Sequence, residues 1–415
     1  IVLVLRPFRG TLGFPMNKTT TSSSRTPPSR ATLIVITAVS VLTLNLFLPS
    51  LPSMAADFNV SYGAMSIAIA GYLFLSAGLA VILGPLADRF GRRPVLLISF
   101  SIFALASIGA AITDDFTVFL VFRMLQAVCA TGSTLSRAIV RDMYPPGKGT
   151  SVLGYIAMAM AVAPMIGPLV GGLLEETLGW RSVFWVFALL GALGVVLIWL
   201  DLGETAQGKV KTAAQQIQGY KEVTRSPVFW SNTLVLGFSI SAFFVFLAGA
   251  PLVAAQIYGL SPSFVGLVMG TTAVGYFIGS FITGRIAERV PLGSMLIWGR
   301  VIGMIGPISA LILVIFDMDT AYWVFGLMAT VGVANGISLA AANTGAMSVR
   351  PDLAGSAAGL SGAIGTAMGA VFSAITGALI TAQNGDWLFC FLIVLTSAGA
   401  LAAAFPAAKT FEGIE

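Results

Sequence analysis

The sequence contains no histidine and very few charged residues. Only 9% of its 415 residues are charged, whereas soluble domains average about a quarter. Without histidine, the chain lacks the commonest proton shuttle and metal ligand. Its two cysteines, Cys129 and Cys390, both lie within apolar runs, which disfavours a disulfide framework or a metal cluster. We therefore expect no metal site and no cofactor.

The chain also lacks a nucleotide-binding loop of the Gly-x4-Gly-Lys-Ser/Thr kind, which argues against ATP hydrolysis by the chain itself. Its net charge of +5 does not indicate a nucleic-acid partner, because the basic residues stand at the ends of apolar runs. No run carries a His/Cys/Asp/Glu constellation suited to acid–base or metal chemistry, so we expect no enzyme.

Apolar residues make up 57% of the sequence and fall into twelve runs. A run of about 20 residues crosses ~30 Å of hydrocarbon as a helix. The sequence therefore predicts an all-α integral membrane protein with twelve transmembrane helices. The predicted spans are 31–48, 64–86, 95–112, 116–140, 151–174, 183–200, 228–247, 264–286, 295–316, 322–349, 354–380 and 388–405.

Charge is distributed unequally between the two sides of this arrangement. All but three of the 22 basic residues fall on one side, and only Arg181 falls on the other. The opposite side carries the acids Asp57, Asp114, Asp115, Glu175, Glu176, Asp317, Asp319 and Asp386. The positive-inside rule then predicts a cytoplasmic (inner) membrane protein with both termini in the cytoplasm.

The longest polar connection divides the spans six and six. We expect a disordered cytoplasmic tail at 1–30, six-helix bundles at 31–200 and 228–406, a cytoplasmic linker at 201–227 and a short tail at 407–415. A signal peptide at the start is disfavoured, because the first apolar run is too short. Met16 is a candidate start, since the chain begins without methionine. The halves resemble each other: Gly84-Pro-Leu-Ala-Asp-Arg recurs as Gly284-Arg-Ile-Ala-Glu-Arg at the equivalent connection, as in parallel repeats.

The connection from Gly84 to Pro94 concentrates charge between two apolar runs. Asp88 can pair with Arg92 or Arg93, or accept hydrogen bonds from amides at a helix N-terminus, and Gly91 permits a tight turn. The stretch resembles the loop signature of the major facilitator superfamily. We expect a conformational latch here, stronger in the first copy than in the second. Its residues are Gly84, Asp88, Arg89, Gly91, Arg92, Arg93, Glu288 and Arg289.

Arg123 lies inside the fourth run, eight residues beyond Asp115. At 1.5 Å per residue, it stands about 12 Å along the helix, where an arginine is costly unless it faces a cavity or a partner. Gln126 shares its helix face. The resemblance implies a role for this arginine in proton coupling and substrate handling. Ala127 departs from the family's usual glycine.

The fifth run contains Ala-Pro-Met-Ile-Gly-Pro-Leu-Val-Gly-Gly from Ala163 to Gly172. Its prolines free backbone carbonyls, and its glycines let another helix approach closely, so we expect a hinge or a seal. It resembles the antiporter motif of exporters, Pro164, Gly167, Pro168, Gly171 and Gly172. The chain is thereby most similar to twelve-helix drug:proton antiporters of the bicyclomycin and chloramphenicol type.

One departure from that group concerns the proton carrier. Asn45 stands where these exporters often have an acid, and Phe47 where they have tyrosine. No acid falls in the middle of a span, which leaves Glu175, Glu176, Asp57 and Asp386 at the outer ends. An interior with Arg123, and with Arg300 if it does not snorkel to the surface, favours a neutral, zwitterionic or anionic substrate.

The sequence thus predicts a secondary transporter that exports a small organic molecule by proton antiport and alternating access. We expect a functional monomer in a lipid bilayer, with the proton gradient as its energy source. Two alternatives remain: an uncoupled facilitator or uptake transporter, and a membrane receptor or enzyme that transports nothing. The expected substrate and proton pathway comprises Asn45, Arg123, Gln126, Asn335 and Asn343, with Ser239 and Ser241 as further polar residues.

Overall fold

A computed structural model describes residues 28–144, 146–205, 213–286, 289–350 and 353–411. Within them, twelve helices are long and apolar enough to cross a membrane, which confirms the predicted spans. They are α1 Arg30–Asp57, α2 Tyr62–Phe90, α3 Arg92–Ile112, α4 Phe116–Val140, α5 Ser151–Leu178, α6 Arg181–Asp201, α7 Pro227–Ile257, α8 Pro262–Ile286, α9 Leu292–Ile315, α10 Ala321–Ser348, α11 Ala354–Leu379 and α12 Gly385–Lys409.

The span boundaries differ most from the prediction in α1 and α7. The α1 helix proper ends at Asn45, and the chain continues through a 3₁₀ turn at Leu48–Ser50 into Leu51–Asp57. In α7, the helix runs through Pro251 and ends in a π turn at Val253–Ile257. The connection between the halves also contains a helix that the sequence analysis did not predict, Ala213–Val223.

Two pairs of helices join the first half (α1–α6) to the second half (α7–α12). One pair is α2 with α11 and the other is α5 with α8. Within the halves, α3 packs on α6 and α9 packs on α12. The interface between the halves has two ends. We call the end with the Gly84–Pro94 connection the basic end, and the end where α1 meets α2 the acidic end.

The halves touch closely at the acidic end. A Cβ added to Gly63 of α2 would lie 2.9 Å from the carbonyl oxygen of Gly377 in α11, and one added to Gly172 of α5 would overlap the carbonyl of Pro262 in α8. The Tyr62 hydroxyl donates to the carbonyl oxygen of Ala248 at 2.6 Å. The backbones therefore seal this end.

Toward the basic end, glycines of the same four helices no longer make such contacts. Among the described residues, a Cβ added to certain glycines of α2, α5, α8 and α11 would meet nothing within 4 Å. These glycines are Gly84, Gly154, Gly284, Gly355, Gly359 and Gly362. The interface is thus closed at the acidic end and open at the basic end.

Candidate functional site

Arg123 is fully buried within the first half, with a side-chain exposure of 0%. It stands at the end of the regular part of α4, just before a 3₁₀ turn at Gln126–Ala130. Its Nη1 donates to Gln126 Oε1 at 2.7 Å, so the two residues meet as their spacing predicts. Its Nη2 donates to the carbonyl oxygen of Thr43 in α1 at 2.9 Å. The guanidinium therefore links α4 to α1.

Two aromatic rings complete this site, and the sequence analysis identified neither as a partner. The guanidinium carbon lies 4.0 Å from the ring centroid of Phe47 and 4.4 Å from that of Tyr72. Rings at this distance attract a cation through their quadrupoles, more strongly when water is excluded. Gln126 Nε2 donates in turn to Ser107 Oγ of α3 at 2.8 Å. All of these described partners are neutral.

Asn45 lies at the end of the α1 helix and is 2% exposed. Its Nδ2 donates to the carbonyl oxygen of Val41 at 2.8 Å. Its Oδ1 is buried and has no hydrogen-bond partner among the described residues. A Cβ added to Gly167 of α5 would lie 3.1 Å from the Asn45 Cβ, so α5 presses directly against this residue. Asn45 is therefore a contact point between α1 and the glycine-rich stretch of α5.

Arg300 of α9 faces the inside of the second half and is 4% exposed. The sequence left open whether Arg300 snorkels to the surface; it does not, because neutral polar groups of α7 and α10 hold it inside the bundle. Its Nη1 donates to Ser239 Oγ at 2.6 Å and to Asn335 Oδ1 at 3.0 Å. Its Nη2 donates to the carbonyl of Ala334 and to the hydroxyl of Ser338.

A cavity of about 310 Å³ lies between the halves, at the lower limit of the range of about 300–1,000 Å³ typical of small-molecule sites. Its walls come from α5, α7, α8 and α10. The lining residues are Ala157, Met160, Pro164, Ile240, Phe243, Thr272, Ala273, Tyr276, Gly332, Asn335 and Leu339. We call it the interhalf cavity.

The structure distributes the predicted pathway residues over three places. Asn335 lines the interhalf cavity, and Asn343 lies two turns farther toward the basic end of α10, where it is exposed. Asn45, Arg123 and Gln126 are not part of the lining of that cavity; they form the buried site in the first half. The pathway assignment therefore stays a prediction, with only Asn335 on the cavity wall.

The charged connection between α2 and α3 is organised around Arg92, which is 3% exposed. Its Nη2 lies 2.5 Å from Asp142 Oδ2, at the end of the helix that continues α4, and 3.4 Å from Asp88 Oδ1. The Asp88–Arg92 pair was predicted from sequence, but the shorter contact to Asp142 was not. Arg93 Nη2 donates instead to the carbonyl oxygen of Trp199 at 2.9 Å.

Glu204, not Asp88, accepts from the amide at the start of α3. Glu204 Oε1 accepts from the Arg92 amide at 3.0 Å. Gly91 has φ +99°, and a Cβ there would overlap the Glu204 carboxylate, so this position requires glycine. None of these described contacts reaches the second half, and Glu288 of the predicted latch lies outside the described residues. The latch therefore remains a prediction for another conformation of the interface.

The glycine-rich stretch of α5 forms much of the closed acidic end. A Cβ on Gly171 would overlap the carbonyl oxygen of Leu46 in α1, whereas Gly172 abuts α8 across the interface. Conversely, a Cβ on Gly266 of α8 would overlap the carbonyl oxygen of Pro168. Glu176 then accepts from the Ser263 amide, at the N-terminus of α8, at 3.1 Å. These contacts seal the cavity from one side.

A cavity between two six-helix halves that is open at one end is the arrangement of a secondary transporter. The chain belongs to the Major Facilitator Superfamily, whose family model matches residues 33–373. This confirms the resemblance inferred from the motifs.

Curated relatives cover most of the chain. It is 30% identical to the MFS-type transporter YdgK of Bacillus subtilis, over 81% of this chain and 85% of the relative. It is 26% identical to Multidrug resistance protein D of Escherichia coli, over 85% and 89% of the two chains. It is 28% identical to the Chloramphenicol resistance protein of Pseudomonas aeruginosa, over 76% of each.

Solved structures show the same fold at lower identity. A bacterial homolog to the human lysosomal transporter Spinster, in an inward-facing and unoccupied conformation, superposes with a TM-score of 0.71 at 19% identity. That match covers 92% of this chain and 97% of the homolog. A D-xylose–proton symporter also superposes with a TM-score of 0.71, at 16% identity over 92% and 98% of the two chains.

Proposed function

We propose that this protein exports small, largely apolar drug-like molecules by alternating access, in exchange for protons. The observation that carries the proposal is the asymmetric interface: α5 and α8 seal the acidic end, while the same helices separate at the basic end. Alternating access requires such a site, closed on one side and reachable from the other. The multidrug and chloramphenicol resistance proteins among its relatives support export as the direction.

The basic end faces the cytoplasm in this proposal. Nearly all basic residues outside the spans lie at that end, as the positive-inside rule requires of a cytoplasmic face. Both termini are then cytoplasmic, and the conformation described here is open to the cytoplasm, where an exporter collects its cargo. The protein works as a monomer in the inner membrane, where the lipid bilayer surrounds its helices. It requires no cofactor and binds no nucleic acid.

The wall of the interhalf cavity indicates what the cargo is like. Phe243, Tyr276, Met160 and Ile240 offer aromatic and aliphatic surface, and the polar contribution comes from Thr272 and Asn335. No acid is among the residues that line it. A cation would leave water without gaining a counter-charge, which is unfavourable. The cargo is therefore a neutral, zwitterionic or anionic molecule.

Proton coupling rests on carboxylates at the acidic end, because Asn45 replaces the usual acid of α1. Glu175 is half-buried; its Oε1 accepts from Ser53 Oγ at 2.5 Å, and its Oε2 has no described partner. Glu176 bonds across the interface to the start of α8. We infer that these two carboxylates carry the exchanged protons, and that Glu176 links protonation to closure because it contacts α8.

An uncoupled facilitator is the second candidate, and the specific observation in its favour is Asn45. The described lining of the interhalf cavity then includes no carboxylate to carry a proton, and transport follows the substrate gradient alone. Membership of a transporter family favours transport over a receptor or enzyme that transports nothing.

Reconstitution in proteoliposomes separates the two candidates. Chloramphenicol uptake into inside-out vesicles is measured with an acidic lumen and with the gradient collapsed by an ionophore, while a pH dye reports proton release. Antiport predicts accumulation that disappears with the gradient, and stoichiometric proton release. Equal rates without the gradient would leave only the facilitator, and no movement of any compound in a charge-sorted panel would contradict both.

A further inference from the structure

In the wall of the interhalf cavity, the polar side chain of Asn335 is held in one orientation by residues that lie outside the cavity. Asn335 Oδ1 accepts from Arg300 Nη1 at 3.0 Å, and Arg300 in turn is held by Ser239 and Ser338. Because a guanidinium carries only donors, the carbonyl end of the Asn335 amide must point toward it. The amide nitrogen is thereby turned away from Arg300.

That nitrogen is only weakly engaged by the protein. Asn335 Nδ2 approaches the carbonyl oxygen of Ser239 at 3.4 Å, a long contact that uses one of its two N–H bonds. The second N–H has no described protein acceptor, while Asn335 lines the cavity. A buried donor that lacks an acceptor carries a desolvation cost, which a bound acceptor would remove.

Arg300 makes this donor stronger. The described partners of its guanidinium are two hydroxyls, an amide oxygen and a backbone carbonyl, none of which neutralises its charge. Hydrogen bonds from a charged donor polarise the next group in a chain, and the effect grows where water is excluded. The positive charge behind Asn335 therefore favours an acceptor in the cavity and disfavours a cation.

We propose that Asn335 binds substrate through its amide N–H, that Arg300 is its positioning residue, and that this pair selects molecules presenting a carbonyl, nitro or carboxylate oxygen. The inference rests on the proposed export function and names its substrate class more closely. The aromatic surface of Phe243 and Tyr276 accommodates the apolar part of the same molecule.

The test measures binding to purified protein in detergent, without any ion gradient. The probes are chloramphenicol, which is neutral and carries carbonyl and nitro oxygens, and tetraphenylphosphonium, which is a cation without an acceptor. For the unchanged protein we expect binding of the first and little of the second. Asn335→Asp removes the donor in an isosteric change, so chloramphenicol should bind about tenfold more weakly. The new carboxylate also pairs with Arg300 and offsets its positive charge, so the cation should gain affinity.

Arg300 is tested by two substitutions that separate positioning from structural support. Arg300→Met removes the donor behind Asn335 and should weaken chloramphenicol binding about tenfold, raising KM for transport while leaving kcat within about twofold. Arg300→Lys keeps one donor and should recover part of the affinity. The control for Asn335→Asp is Asn384→Asp at the acidic end, away from the cavity. Its carboxylate keeps the contact with the Thr381 amide at 2.8 Å and loses the donation to the Leu379 carbonyl oxygen at 3.1 Å, so the change is of the same kind without touching the cavity.

Three results would overturn the proposal. The first is equal affinity of the unchanged protein for chloramphenicol and tetraphenylphosphonium. The second is that the Asn335→Asp or the Arg300→Met variant binds both probes as tightly as the unchanged protein does. That result would leave the export function intact and contradict the proposed subsite. The third is absence of binding by every compound, which would contradict the export function together with the subsite.

Discussion

The two ends of the interface between the halves use glycine in opposite ways. At the acidic end, Gly172 and Gly266 place the backbones of α5 and α8 in direct contact. At the basic end, Gly154 and Gly359 face open space among the described residues. A glycine in a helix lowers stability relative to alanine, and at the open end no close helix contact compensates for that cost. The glycines there are explained if the same backbones come into contact in another conformation. The difference implies that the two ends close in turn.

The largest effect is expected from Gly172→Val. The added side chain overlaps the carbonyl of Pro262, which belongs to backbone and cannot move aside, so the acidic end cannot close. We expect transport to fall to background, with spin labels on α5 and α8 reporting separation at that end. Gly154→Val on the same helix is the matched control, and it should leave the distance at the acidic end unchanged. Normal transport by Gly172→Val would contradict the assigned seal.

Arg123→Ala should reduce transport roughly 100-fold while membrane insertion stays intact. The substitution leaves Gln126 Oε1 and the carbonyl of Thr43 without their charged donor, and each such bond is worth about 1.5–3 kcal/mol. It also empties the space between the Phe47 and Tyr72 rings, next to the α1 segment against which α5 seals. Transport rates and protein yield are measured side by side. Efflux at the unchanged rate would exclude a role for this buried site.

Glu176→Gln tests the polar part of the seal. A carboxylate next to the N-terminal amides of α8 is favoured over a neutral amide, so the substitution should shift the population toward an open acidic end roughly two- to fivefold. Cysteine accessibility near Ser263 measures the shift. Asp114→Asn is the control, because Asp114 pairs with Arg181 within the first half, at 2.6 Å. An identical shift in both variants would show a general charge effect in place of an interface contact.

The smallest effect is expected at the open end. Gly359→Ala should slightly raise the thermal stability of the form that is open at the basic end, because alanine favours a helix over glycine by up to about 1 kcal/mol and no described neighbour opposes the methyl group. The melting temperature in detergent is the measurement. A marked decrease would mean that α11 is packed there, and that the two ends do not differ as described.

Sequence alone predicted all twelve spans, because the bilayer forces each crossing segment to be a helix with a long apolar run. It also predicted the contact between Arg123 and Gln126, which follows from helical spacing within α4. The predicted seventh span ended too early, at residue 247, whereas the helix continues through Pro251 to Leu252 and into a π turn.

The rest of the site required the three-dimensional arrangement. Phe47 and Tyr72 belong to different helices from Arg123, and spacing along a chain cannot place separate helices against one another. The same holds for Arg300, whose partners come from α7 and α10. Glu204 could have been suspected as the first acid after α6, but its contact with the start of α3 depends on how the chain returns across the basic end.

The contact between Glu204 and the start of α3 bears on when the first half can fold. The described network around Arg92 draws on Asp88, Asp142 and Glu204, all of which are synthesised before α7. The first six helices can then settle against one another before α7 leaves the ribosome, in keeping with the tendency of N-terminal units to fold first. Glu204 would then complete the packing of a first half that folds separately, and the second half would dock onto that folded half.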